Sequence, residues 1–263
     1  MRCDTRRRHK IELIFIYLLS RIARMPSPPT VFSSPIPAAS RQLLLVVSPN
    51  WRSHSAQLQR FGRTRLAGNW QPIGALVAVS IGRAGLAWGR GLHRLEGGAG
   101  KREGDGCSPA GIFAITALFG YAPPDSPFAR AAKLPYLPAK PDLKAIDDPL
   151  SAHYNRIVDQ SRLAQPDWAS CEDMWRNDLR YAVGAVVAHN AEPPVPGAGS
   201  CIFLHVWEGE GLPTAGCTAM ALADMTEIAR WLDGAKGPVL VQLPQADYEA
   251  RREAWGLPGF AFG

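Results

Sequence analysis

The sequence lacks a hydrophobic segment long enough to cross a lipid bilayer. Its N-terminal apolar run, Ile11–Leu19, is interrupted by Glu12 and is much shorter than the ~20 residues that a membrane-spanning helix requires. No stable membrane insertion is therefore expected. The sequence also lacks internal self-similarity, which excludes a repeat solenoid.

The main part of the chain lacks an excess of charge of either sign. The formal net charge is +6, but residues 1–24 hold seven of the basic residues and only two acidic ones. From Met25 onward, 22 basic residues stand against 21 acidic residues. A nucleic-acid-binding protein needs a basic surface to neutralise phosphates, so nucleic acid is not an expected partner.

Cysteine is sparse and lacks the spacing of a metal site. The five cysteines are Cys3, Cys107, Cys171, Cys201 and Cys217, and no two of them form a C-x-x-C pair. We therefore expect no metal and no disulfide scaffold. Five cysteines cannot all pair within one chain, which leaves room for one free, working thiol.

The chain divides into three segments by composition. Residues 1–24 are basic and apolar, which fits either a secretory signal or sequence upstream of a true start at Met25. Residues 25–40 are rich in proline and serine and are predicted to be a linker. Residues 41–263 are predicted to form one catalytic domain.

The 25 glycines and 23 prolines favour many short strands and tight turns over long helices. We predict a mainly β domain with a few short helices. Irregular chain is predicted for Pro123–Pro149 and a short helix for Ser170–Leu179. A second helix, Met220–Asp233, has apolar residues at helical spacing and a glycine stop. Strands are predicted at Leu43–Val47, Ala75–Ile81, Gly85–Gly91, Tyr181–Ala188, Ile202–Val206 and Val239–Leu243, with a glycine-rich loop leading into a further strand at Lys101–Phe113.

The pattern that suggests chemistry lies between Gly199 and Met220. His205 is inside an apolar strand, and Cys217 follows in a turn of small residues directly before the predicted helix. A hairpin-like loop, Glu208–Pro213, would return the chain to His205. An imidazole next to a thiol is a common way to generate a thiolate nucleophile, although either residue alone is more often a packed core residue.

Two separate blocks resemble the L,D-transpeptidase family. Thr214-Ala215-Gly216-Cys217 matches the family's Ser/Thr-x-Gly-Cys turn, and His205 matches its upstream strand histidine. Residues 101–113 (KREGDGCSPAGIF) resemble the Thr-Pro-x-Gly-x-Phe start of a family strand. Residues 147–155 and 199–205 also look like features of one bacterial branch. The resemblance covers roughly residues 41–263.

The resemblance implies an L,D-transpeptidase-type β-sandwich or barrel in which one helix follows the catalytic cysteine. It implies that Cys217 attacks a peptidoglycan tetrapeptide stem and that His205 transfers the proton. Backbone N–H groups of Gly216 and Cys217 would hold the oxyanion, and a backbone carbonyl would orient His205. It implies no cofactor, no obligate protein partner, and a location in the periplasm or cell envelope.

Two departures from the family pattern concern the substrate rather than the nucleophile. Ala215 stands where many members have histidine, and Ala219 stands where many have arginine or asparagine. A missing arginine removes a bidentate partner for a carboxylate. Two alternatives within the fold stay open: an L,D-carboxypeptidase that uses water, and a non-catalytic peptidoglycan-binding domain.

Two other cysteine enzyme classes fit the sequence less well. In papain-like hydrolases the cysteine precedes its histidine, whereas here His205 comes first. Sortases share the order of this chain but need a downstream arginine, for which Arg230 is the one nearby candidate.

Overall fold

The computed structural model describes residues 34–65 and 68–261. In this part of the chain, strands greatly outnumber helices, as the glycine and proline content predicts. The strands are β1 Gln42–Ser48, β2 Ser55–Gly62, β3 Gln71–Ser80, β4 Leu86–Trp88, β5 Ser108–Gly120, β6 Tyr136–Pro138, β7 Leu143–Ile146, β8 Ile157–Asp159, β9 Cys171–Asp173, β10 Val183–Val187, β11 Phe203–Val206, β12 Thr218–Met220 and β13 Val239–Pro244. The helices are α1 Pro127–Ala131, α2 Leu222–Trp231 and α3 Gln245–Trp255.

Eight of the strands form a sheet that closes on itself. Their order is β10-β11-β12-β3-β2-β1-β13-β5, and β10 also pairs with β5, which completes the ring. The pairs β1–β13 and β11–β12 are parallel, whereas the other neighbours around the ring are antiparallel. A closed sheet leaves no unpaired edge, which confirms the predicted mainly β fold.

The main core lies around β1 and β13. All seven residues of β1 are buried, as expected for a strand that is covered on both faces and reads as a continuous apolar run. Helix α3 packs against both strands. Helix α2 packs against β10 and β11 and buries Met225, Ile228 and Ala229. Ile36, in the segment predicted to be a linker, is also buried in this core.

A second, smaller core lies between the ring and a three-stranded sheet. That sheet has the order β8-β7-β9. Its residues Leu143, Ala145 and neighbouring Met174 pack against Phe119 and Phe203 of the ring. Cys217 belongs to this smaller core, so the candidate nucleophile lies where the two sheets meet.

Most of the predicted strands are present, and α2 confirms the helix after Cys217. In the predicted glycine-rich loop and the strand that follows it, Gly104, Gly106 and Gly111 have positive φ angles. The predicted segment 1–24 and most of the predicted linker 25–40 lie outside the described residues.

Two secondary-structure predictions are wrong. Pro123–Pro149 is not irregular, because Ser126 caps α1 by accepting a hydrogen bond from Ala129 N–H, and β6 and β7 follow. Ser170–Leu179 holds strand β9 instead of a helix, because residues 171–173 pair with β7. Strand β2 and helix α3 have no counterpart among the predicted elements.

The loop between His205 and Cys217 is not a hairpin, contrary to the prediction. A hairpin joins antiparallel strands, but β11 and β12 are parallel. The chain therefore runs back, against the direction of β11, before β12 begins. Thr214 forms a bridge to Gly82 on this path, which holds the returning segment beside β3.

Candidate active site

His205 and Cys217 lie on neighbouring parallel strands. His205 is in register with Ala219, and Cys217 precedes Ala219 by two residues. Because side chains alternate along extended chain, all three point to the same face of the sheet. His205 and Cys217 line one cleft of about 200 Å³, together with residues from the β9–β10 connection and from the returning loop. The structure therefore brings the two predicted residues together.

The thiol of Cys217 is buried and is held by two backbone groups. Phe203 N–H donates to Sγ at 3.3 Å, and the Sγ–H group donates to Cys201 O at 3.6 Å. Burial raises the pKa of the thiol to about 12, and the nearby charge of Glu172 acts in the same direction. In the resting protein, Cys217 is therefore a neutral thiol.

The ring of His205 is held in one tautomer. Nδ1 lies 2.7 Å from Val206 O, and a carbonyl oxygen can only accept, so Nδ1 carries the proton. This hydrogen bond confirms that a backbone carbonyl orients the ring. Burial lowers the pKa of His205 to about 4, although the bond to Val206 opposes this shift. The imidazole is therefore neutral, with a lone pair on Nε2.

A neutral thiol beside a neutral imidazole differs from the ready-made thiolate that the sequence suggests. Both pKa shifts have the same cause, because removing either charged form from water is costly in a buried site. A pair of this kind is suited to general-base catalysis. The imidazole would accept the thiol proton as sulfur attacks, rather than before substrate arrives.

The turn before the nucleophile is fixed by side-chain hydroxyl groups. Thr214 Oγ1 donates to Cys217 O at 2.6 Å and accepts from Gly216 N–H at 3.1 Å. Ser108 Oγ also donates to Cys217 O, at 3.0 Å. A side chain at position 216 would place its Cβ 3.0 Å from Cys107 O, so this position favours glycine. The two blocks of family resemblance are thus in direct contact.

The same hydrogen bonds bear on the predicted oxyanion donors. Gly216 N–H is already engaged by Thr214 Oγ1. Cys217 N–H donates to no acceptor in the described part of the chain. The geometry therefore favours Cys217 N–H as the donor, and the role of Gly216 N–H stays a prediction.

One wall of the cleft comes from β9 and the β9–β10 connection, and no sequence pattern predicts it. Tyr181 stands edge-on to His205, with ring centroids 5.4 Å apart, and its hydroxyl donates to Glu172. Burial raises the pKa of both Glu172 and Tyr181. Arg176 and Arg180 line the same cleft. The predicted helix at Ser170–Leu179 concealed this group, because a strand and an irregular loop present different side chains.

The other cysteines lie outside the cleft. Cys107, Cys171, Cys201 and Cys217 are all free thiols. Cys201 belongs to the smaller core, and its Sγ donates to Ile146 O at 3.4 Å. The aromatic residue Trp207 lines the cleft, whereas Tyr154 lies outside it and donates to Glu103 at 2.5 Å. No cluster of potential metal ligands occurs in residues 34–65 or 68–261.

His189 is a buried core residue with both ring nitrogens in use. Nδ1 accepts from Arg90 N–H at 3.2 Å, and Nε2–H donates to Ala198 O at 3.0 Å. Protonation would place a second N–H group against the N–H of Arg90. Burial lowers the pKa of His189 to about 4.

This environment leads to a prediction about acid stability. Between about pH 4 and the unfolded-state pKa of about 6.5, the unfolded chain binds more protons at position 189 than the folded chain does. The free energy of unfolding therefore falls as pH falls through this window. We expect His189→Gln to flatten the slope by up to about 1.4 kcal/mol per pH unit, as measured by urea unfolding across the window. The control is His54→Gln, at an exposed ring. Equal slopes in H189Q and the wild type would contradict the prediction.

The comparison with known protein families agrees with this geometry. The family model YkuD, described as L,D-transpeptidase catalytic domain, matches residues 57–241. The chain belongs to this family. The matched range of the L,D-transpeptidase domain contains His205, Cys217 and the residues of the β9–β10 connection. Searches of curated proteins and of solved structures gave no match.

Membership of the family bears on where the L,D-transpeptidase domain acts. The family acts on peptidoglycan, which lies outside the cytoplasmic membrane. No helix among the described residues is long and apolar enough to span a membrane.

Proposed function

We propose that this domain is a peptidoglycan L,D-transpeptidase that works through a thioester on Cys217. The observation that carries the proposal is the shared cleft of Cys217 and His205, with the His205 proton held on Nδ1 by Val206 O. Nε2 of His205 is therefore the ring nitrogen that can accept the proton of the Cys217 thiol. The acyl donor is a tetrapeptide stem, and the acceptor is an amine of a second stem.

The acylation step begins with a neutral pair. Cys217 Sγ attacks the carbonyl carbon at the L-centre of the diamino acid, and its proton passes to His205 Nε2. Cys217 N–H stabilises the oxyanion of the tetrahedral intermediate. As the C–N bond breaks, His205 returns the proton to the amine of the leaving D-alanine. The product is a thioester and free D-alanine.

The transfer step reverses the roles of the pair. A side-chain amine of a second stem attacks the thioester carbonyl and loses a proton to His205. The C–S bond breaks, and the sulfur of Cys217 recovers that proton. The result is a cross-linked peptide and the resting enzyme. If water is the acceptor, the product is a tripeptide and the domain is an L,D-carboxypeptidase. A domain of the same fold that only binds peptidoglycan would form no thioester.

The substrate also bears on the location of the protein. Because stem peptides lie outside the inner membrane, we propose the periplasm or cell envelope as the site of action. No step of this mechanism requires a cofactor, a metal or a second protein.

The test is to incubate the full chain with disaccharide-tetrapeptide fragments and to analyse products and protein by mass spectrometry. We expect release of alanine and an acyl adduct on the peptide that contains Cys217. The peptides that contain Cys107, Cys171 and Cys201 are internal controls and should stay unmodified. A cross-linked dimer indicates a transpeptidase, and a tripeptide indicates a carboxypeptidase. A folded protein that binds the fragments without adduct or alanine release would overturn the proposal and favour the binding domain.

A further inference from the structure

Arg176 lies in the wall of the active-site cleft, together with Tyr181 and His205. Its guanidinium carbon is 5.3 Å from the centroid of the Tyr181 ring. That ring in turn stands 5.4 Å from the ring of His205. Tyr181 is thus the shared neighbour of Arg176 and His205 in the wall of the cleft.

The guanidinium group of Arg176 makes few hydrogen bonds within the described part of the protein. Its one ion-pair contact runs from Nε to Asp178, at 3.4 Å from both carboxylate oxygens, which is long for a charge-assisted hydrogen bond. The Nη1 and Nη2 groups donate to no residue in the described ranges. The side chain is 28% exposed, so solutes can reach it.

Arg180 provides a contrast within the same cleft. Its Nε and Nη2 groups contact Asp178 at 2.9 and 2.7 Å, and its Nη1 group lies 3.4 Å from Glu208. Asp178 also accepts from Arg180 N–H at 2.9 Å. Since Asp178 is engaged chiefly by Arg180, it leaves Arg176 with a free pair of parallel donors.

The other acidic groups of the cleft make no hydrogen bond or ion pair with Arg176 in the described ranges, although the charge of Arg176 partly offsets the rise that burial causes in the pKa of Glu172. The carboxyl of Glu172 is tied to the Tyr181 hydroxyl, and burial raises its pKa. Glu208 is 67% exposed and contacts Arg180. Ala219, which is in register with His205, adds no charge. The two Nη groups, which have no internal hydrogen-bond acceptor in the described ranges, form a planar pair of donors that matches a carboxylate from a ligand.

We propose that Arg176 binds the α-carboxylate of the residue that leaves the acyl donor. This inference rests on the proposed function. The leaving amine must come within hydrogen-bond reach of His205 Nε2 to receive its proton. In a C-terminal alanine, the carboxylate is attached to the same α-carbon as that amine. A substrate placed for proton transfer therefore directs its carboxylate toward the wall that Tyr181 and Arg176 form.

The experiment compares two donors that differ at one group. One is the tetrapeptide stem with a C-terminal carboxylate, and the other is the same peptide with a C-terminal carboxamide. The measured quantity is the ratio of kcat/KM for the two donors. Because this ratio is taken within one protein sample, it does not depend on the fraction of folded protein.

We expect the wild type to prefer the carboxylate donor by about 10- to 100-fold, as two charge-assisted hydrogen bonds would give. Arg176→Gln should reduce the ratio to near one. Arg176→Lys keeps the charge without the fork and should give an intermediate ratio. Arg180→Gln combined with Asp178→Asn removes the neighbouring arginine without freeing Asp178 to pair with Arg176, and should leave the ratio close to that of the wild type.

The outcomes separate this inference from the proposed function. If the wild type releases the terminal residue from neither donor, the proposed function itself fails. If the wild type is active but R176Q keeps the wild-type preference for the carboxylate donor, Arg176 does not bind the carboxylate. If the R180Q/D178N double variant reduces the ratio as much as R176Q, the preference does not depend specifically on Arg176, and the assignment to Arg176 is overturned.

Discussion

Cys217→Ser is expected to abolish the acyl adduct and to lower alanine release by at least about 10⁴-fold. Serine is close to cysteine in size and can accept from Phe203 N–H as the thiol does. However, a serine hydroxyl is a weaker nucleophile than a thiol and is much harder to deprotonate. The neutral imidazole of His205 is therefore a sufficient base for the thiol but a poor one for the hydroxyl. The measurement is single-turnover alanine release together with the intact mass of the protein.

Cys201→Ser is the matched control for this variant. Cys201 is as deeply buried as Cys217 and belongs to the same small core. Its thiol contacts Ile146 O instead of the cleft. We expect C201S to keep alanine release within about threefold of the wild type, since its sulfur takes no part in the chemistry. If C217S stays within tenfold of the wild type, or if C201S is equally inactive, the thioester mechanism is wrong.

The sequence was sufficient to identify the candidate pair because its signals are local. Three local signals lie within residues 199–233. They are an apolar strand with one histidine, a turn of small residues, and apolar residues at helical spacing after Cys217. Strands such as β1 are equally readable, because a strand that is buried on both faces is a continuous apolar run. The family match confirms the family that these patterns suggest, and the roles of His205 and Cys217 stay predictions.

The features that the sequence did not reveal depend on contacts between distant segments. The parallel pairing of β11 and β12 depends on the path of the returning loop past Gly82, which no local pattern encodes. The Glu172–Tyr181 pair and Arg176 reach the cleft because β9 joins the small sheet. A helix, as predicted for this segment, would have arranged these side chains differently.

The charge state of the pair also depends on tertiary structure. Cys217 and His205 are neutral because the smaller core covers them, and that core draws Phe119 from β5, Met174 from beside β9 and Tyr181 from beside β10. No residue adjacent in sequence to the nucleophile supplies this burial. The sequence therefore predicts which residues could react, whereas the folded structure sets the protonation from which the reaction would start.

His205→Gln is expected to lower single-turnover acylation by about 10³-fold, within the range for loss of a general acid–base. A glutamine amide can still donate to Val206 O, so the local hydrogen bond is retained. It has no basic nitrogen to accept the thiol proton or to return it to the leaving amine. The control is His153→Gln, since the ring of His153 packs against Trp168 outside the cleft, and its activity should match the wild type.

A donor with a better leaving group tests the second half of this role. A nitroanilide in place of D-alanine leaves without needing a proton, so its departure does not depend on His205. Only proton removal from Cys217 then remains impaired in H205Q. We therefore expect the ratio of the wild-type acylation rate to the H205Q acylation rate to be smaller by about tenfold or more with the anilide than with the D-alanine donor. If this ratio of acylation rates is the same for both donors, His205 acts on the thiol alone and another group protonates the leaving amine.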